Sequence, residues 1–104
     1  MLTADTQIKM LGNLRFGSTH TFTFTLTNNS DREITIDKVV AGCNSCTKTS
    51  LSTNTLQSGE QATLSVSFTP GSVGINSKNL TVLYRTGNVQ RPNLGLQFKA
   101  MVNE

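Results

Sequence analysis

Both cysteines of the chain fall in the stretch AGCNSCTKTS, residues 41–50, as Cys43 and Cys46. Thiols at Cys-x-x-Cys spacing can form a redox centre, half of a metal site, a small disulfide clip, or two buried apolar groups. A redox centre wants its first thiol at a helix N-terminus, whose dipole favours the thiolate. No helical periodicity follows Cys46, so the pair reads as a loop after a strand. Structural zinc takes four ligands, and two cysteines with the single histidine, His20, leave that set incomplete without an acidic ligand or a second chain. A structural role is therefore expected for Cys43 and Cys46, either as small buried groups or as a disulfide that pins the loop outside the cell.

The remaining reactive residue types make no constellation. His20 stands in phase with Phe22, Phe24 and Leu26, which suits a rim histidine capping a core. No serine or cysteine is tied to it by a nucleophile motif, and no acid is placed to orient it. Asp5, Asp31, Glu33, Asp37, Glu60 and Glu104 form neither an acid/base pair nor a calcium loop. Glycines occur singly, without a phosphate-cradling run. Two glycosylation sequons, at Asn28 and Asn79, read as chance matches in the absence of a leader. The expectation is a non-enzyme with no cofactor and no metal.

Charge narrows the partners. The 104 residues carry nine Lys and Arg against six Asp and Glu, a formal net charge of +3, and the basic residues are scattered. Nucleic-acid binding needs clustered cations with stacking partners, so no nucleic acid is expected. The N-terminal MLTADTQIKM lacks the basic and apolar regions of a signal peptide, and no apolar run could cross a membrane. These features lead us to expect a protein that is made and stays in the reducing cytosol, where a disulfide is not the default, or leaves it by lysis or assembly.

What must position any site is β structure. In STHTFTFTLTN, residues 18–28, Phe22, Phe24 and Leu26 alternate with threonines, so one face is apolar and the other hydroxylated. The same period of two recurs in EITIDKVV (33–40), QATLSVSFTP (61–70), NLTVLYR (79–85) and NLGLQFKAMV (93–102), with turn signals NNSD, QSGE, PG and TGN between them. Adding weaker strands near Thr6–Leu11 and Thr47–Leu51 makes about seven, the pattern of a two-sheet antiparallel immunoglobulin-like sandwich. The chain reads as one all-β domain over 1–104, with its core between about residues 6 and 102.

From about Leu11 to Val102 the sequence resembles the Hydin-type, major-sperm-protein-like immunoglobulin domains, and among these the small bacterial and phage members with a Cys-Gly-Cys-Thr motif. The resemblance is carried by Phe22, Phe24 and Asn28, by Leu56, Gly59, Val66, Phe68 and Pro70, and by Gly74, Lys78, Leu80 and Val82. It departs at Cys43-Asn44-Ser45-Cys46-Thr47, one residue longer than the family motif, and at Lys99-Ala100-Met101, where a terminal glycine is usual. What the resemblance implies is binding or scaffolding rather than catalysis.

The leading expectation is thus a module docking on a larger protein assembly, in its narrowest form a bacteriophage virion accessory protein meeting capsid or tail proteins, with self-association as a further option. The alternative is a cellular adaptor in the cytoplasm that binds a protein partner by edge-strand addition. Less favoured is a redox or metal-handling protein. Two contact loops are expected: Ala41–Ser58, through Asn44, Ser45, Thr47, Thr49 and Asn54, and Gly71–Asn76, through Val73 and Ile75.

Overall fold

A computed structural model describes residues 2–42, 46–86 and 93–104. They contain β1 (Leu2–Ala4), β2 (Ile8–Arg15), β3 (His20–Asn28), β4 (Ile34–Ala41), β5 (Thr47–Leu51), β6 (Thr55–Leu56), β7 (Gln61–Phe68), β8 (Gly74–Thr86) and β9 (Asn93–Asn103). A four-stranded sheet, in the order β1-β3-β7-β5, faces a five-stranded sheet in the order β2-β9-β8-β4-β6. The all-β sandwich expected from the alternation is present, with nine described strands rather than about seven. Two lie outside the expected stretches. β1 precedes the expected Thr6–Leu11 strand, whose place β2 takes on the other sheet, and the two-residue β6 follows β5 across to the other sheet. Every ladder is antiparallel except β2 on β9, which is parallel.

Alternation became burial. Phe24, Leu26, Leu64, Val66, Phe68, Val82 and Phe98 are fully enclosed between the sheets. Each such side chain contributes about 1.5–3 kcal/mol by leaving water. The rings also pack edge to face, Phe98 lying 5.0 Å from Phe68 and 5.0 Å from the half-buried Phe22. Because these residues arrive from β3, β7 and β9, the aromatic contacts join the two sheets.

A polar residue closes one corner. Asn28 ends β3 and has no exposed surface, so its amide must find partners inside. Its Nδ2 donates to the carbonyls of Arg32 at 2.7 Å and Leu56 at 3.0 Å. Its Oδ1 accepts from the Ser30 amide at 2.9 Å and the Ser30 hydroxyl at 2.6 Å. The side chain therefore ties the β3–β4 turn to β6, and it is not free to carry a glycan. Gly59 completes the corner, donating to the Asn28 carbonyl at 2.8 Å from a φ of 81° that favours glycine.

At β8 the structure departs from the expected loop. The strand begins at Gly74 instead of near Asn79, and its first residues keep the phase of the strand while placing a polar side chain inward and an apolar one outward. Asn76 points inward and satisfies its Nδ2 on the carbonyls of Ser72 (3.1 Å) and Gly74 (3.2 Å), while Ile75 points out.

Candidate functional site

The cysteine stretch is only partly described. Cys43, Asn44 and Ser45 lie outside the described residues. Cys46 is disulfide-bonded, in contrast to the reduced state expected from a cytosolic reading. Its sulfur lies 3.6 Å from the hydroxyl of Thr47, which is buried at the start of β5, opposite Phe68 of β7. Thr49 and Asn54 are exposed, the first on β5 and the second in the turn before β6. Among the described residues, no three His, Cys, Asp or Glu side chains come together to hold a metal ion.

His20 acquires a neighbour that the sequence did not advertise. Its Nε2 lies 2.6 Å from the Ser18 hydroxyl, the geometry of a serine–histidine pair. The proton inventory argues against catalysis. Ser18 Oγ donates to the Arg15 carbonyl at 2.5 Å, so the hydroxyl receives the imidazole N–H rather than giving up its proton. A base that is already donating to the nucleophile does not activate it.

The outer faces of the two sheets differ sharply. On the four-stranded sheet, Thr21, Thr23, Thr25 and Thr27 of β3 stand beside Ser67, Ser65, Thr63 and Gln61 of β7. Lys48 and Ser50 of β5 continue this hydroxyl-rich surface. On the five-stranded sheet, by contrast, the strands expose Ile8, Met10, Val40, Ile75 and Met101. Solvated strand faces are ordinarily polar, so apolar groups gathered on one face point to a contact surface.

Three of them form one cluster. Ile75 on β8 is the direct cross-strand partner of Met101 on β9, and Met10 on β2 is opposite Lys99. Met10 is 71% exposed, Ile75 78% and Met101 42%. Together with Gly12, Asn13 and Lys99 they line a shallow depression. Lys99 stands among them without an ion pair among the described residues, where the only such pair joins Arg85 to Asp37 at 2.8 Å. Val73, also exposed, precedes the cluster in the turn before β8. The exposure of Ile75 and Val73 was legible in the sequence. Met10 and Met101 were not, because their association depends on the parallel β2–β9 pairing. The readable signal was Met101 itself, which falls in the outward phase of its strand.

Comparison with solved structures agrees on the fold. The chain superposes on the VesB protease of Vibrio cholerae with a TM-score of 0.82 at 16% identity, over 96% of this chain but 31% of that one. It superposes on a PapD-like domain of human CEP192 with a TM-score of 0.79 at 13% identity, covering 99% of this chain and 85% of that one. For SSP-19, an MSP-domain protein of Caenorhabditis elegans, the TM-score is 0.73 at 13% identity, with 95% and 98% covered. The fold is thus a major-sperm-protein-like and PapD-like immunoglobulin sandwich. No curated protein matches the sequence. A family model described as a protein of unknown function (DUF1573) matches residues 2–102.

Proposed function

The chain belongs to the DUF1573 family, and on that premise we propose that it is a non-catalytic protein-binding module, a single sandwich domain that docks on a partner through the outer face of its five-stranded sheet. The observation that carries this reading is the cluster of Met10, Ile75 and Met101 around Lys99. Exposed apolar groups gain by being covered, and a lone cation among them favours a partner surface that brings a carboxylate. The PapD-like and MSP-like likenesses support protein binding in general, and the donating role of His20 toward Ser18 weighs against hydrolysis. The narrower form, a subunit of a bacteriophage virion, rests on surface composition, the expectation of a single unexported domain and family analogy, and the coarser form is the one proposed.

Sedimentation of a native lysate tests it. The wild-type chain should travel with a larger species, and Ile75→Asp should return it to the top of the gradient with its fold unchanged. Wild-type chain found at the top as a monomer would contradict the reading.

A further inference from the structure

The open margin of the four-stranded sheet has a different chemistry from the apolar face. β5 is its outermost strand, paired only with β7. Two bonds flanking that ladder set its phase: the Thr69 amide donates to the Cys46 carbonyl at 2.8 Å, and the Ser52 amide to the Thr63 carbonyl at 3.0 Å. Antiparallel pairing alternates, so Lys48 and Ser50 turn their main-chain groups toward β7. Thr47, Thr49 and Leu51 turn theirs away, and no hydrogen bond from a described residue meets them.

The margins at β1, β2, β3 and β6 are blunted, and beyond β6 the line of β4 is interrupted between Ile36 and Lys38. On β2 the Thr6 hydroxyl takes up both main-chain groups of Ile8, accepting from its amide at 3.3 Å and donating to its carbonyl at 2.8 Å. A bulge at Gly12, with φ 76°, then breaks the line of β2. Along the margin of β3, Asp5 accepts from the Thr25 amide at 3.1 Å and the Lys9 ammonium donates to the Thr23 carbonyl. β1 and β6 are too short to template a strand. Such devices protect sheet edges from pairing, and β5 has no main-chain cap or bulge of this kind, only the charge of Lys48.

Side chains beside β5 specify what could add there. Thr49 shares the inward phase of buried Thr47 and half-buried Leu51, yet it is exposed, so the wall of the sandwich is uncovered at that point. Across the opening, Val39 and Ala41 of β4 are half-buried against the core. On the outer side stands Lys48, with no ion pair among the described residues.

We propose that β5 receives an extended strand from a partner protein, in which apolar residues alternate with acidic ones. The apolar residues cover Thr49, Leu51, Val39 and Ala41, and the acidic ones lie beside Lys48. Main-chain bonds to Thr47, Thr49 and Leu51 supply the affinity, and the alternation supplies the register. This margin is separate from the Met10–Ile75–Met101 face, so either assignment stands if the other fails.

The test uses the full chain and two octapeptides, one alternating valine with glutamate and one alternating valine with lysine, read by amide hydrogen exchange. In the free chain the amides of Thr47, Thr49 and Leu51 should exchange rapidly. The valine–glutamate peptide should slow those amides selectively and bind about two- to five-fold more tightly than its lysine counterpart. Lys48→Glu should reverse that preference. Thr49→Pro removes an amide that β7 does not use, as edge positions allow, and should abolish binding. Protection elsewhere, no protection at millimolar peptide, or peptide binding unaffected by both variants overturns the proposal. So do free-chain amides already protected by pairing with a second copy.

Discussion

Ile75 and Met101 face each other across the β8–β9 ladder, and both project into solvent from the outer face of a sheet whose inner face, Asn76 apart, is built mainly from apolar side chains. An apolar pair on a solvated face contributes little to folding, because water reaches it in the native state as it does in the unfolded chain. The double substitution Ile75→Ser with Met101→Ser should therefore change stability by no more than about 0.5 kcal/mol in urea unfolding. Partner binding should fall by about tenfold or more, as expected when central apolar anchors are truncated.

Asn28 presents the opposite case, a polar side chain whose removal is felt throughout the fold. Asn28→Ala leaves the Ser30 amide and the carbonyls of Arg32 and Leu56 without their buried partner. Each group so orphaned costs about 1–3 kcal/mol. Allowing for water entering the space, we expect a loss of about 2–4 kcal/mol by urea unfolding with the m-value unchanged. A loss under 1 kcal/mol would show that the corner is held mainly by main-chain bonds.

Phe98 tests the junction between the sheets. It is fully buried and meets the rings of Phe22 and Phe68. Phe98→Ala should cost about 3–5 kcal/mol, a large part of a small domain's stability. Phe98→Leu, which keeps most of the volume, should cost less than half as much.

Ser18 should be chemically inert. Its hydroxyl donates to the Arg15 carbonyl and accepts from His20, an arrangement that leaves the oxygen without a base. A fluorophosphonate probe is expected to leave Ser18 unlabelled under conditions in which a trypsin control is labelled. Stoichiometric labelling at Ser18 would reopen the catalytic reading.

The fold was legible because burial on one side of a sheet imposes a period of two, and Phe24–Leu26, Leu64–Phe68 and Leu94–Val102 follow it almost without exception. The start of β8 was hidden because Asn76 takes an inward position by bonding nearby carbonyls, which inverts the pattern. β6 was hidden by its length, and the sheet change between β1 and β2 by the absence of any strong turn signal in Asp5-Thr6-Gln7. Of the apolar cluster only Ile75 was visible as an exposed residue. Its association with Met10 required the pairing of β2 with β9, a contact between chain segments almost ninety residues apart, as in Met10 opposite Lys99. Local sequence does not encode such pairing. The Ser18–His20 contact was two residues long and still missed, since only the turn after Arg15 brings the hydroxyl onto the ring.

The most direct test of a docking face is to ask what lies against it. A photocrosslinking residue placed at Ile75 in the full chain, and another placed at Thr63 on the hydroxyl face as a control, should be irradiated in native lysate. One discrete crosslinked product is expected from position 75, none from position 63, and loss of that product when Lys99→Glu reverses the charge in the cluster. Equal products from both positions, or none from position 75, would contradict it.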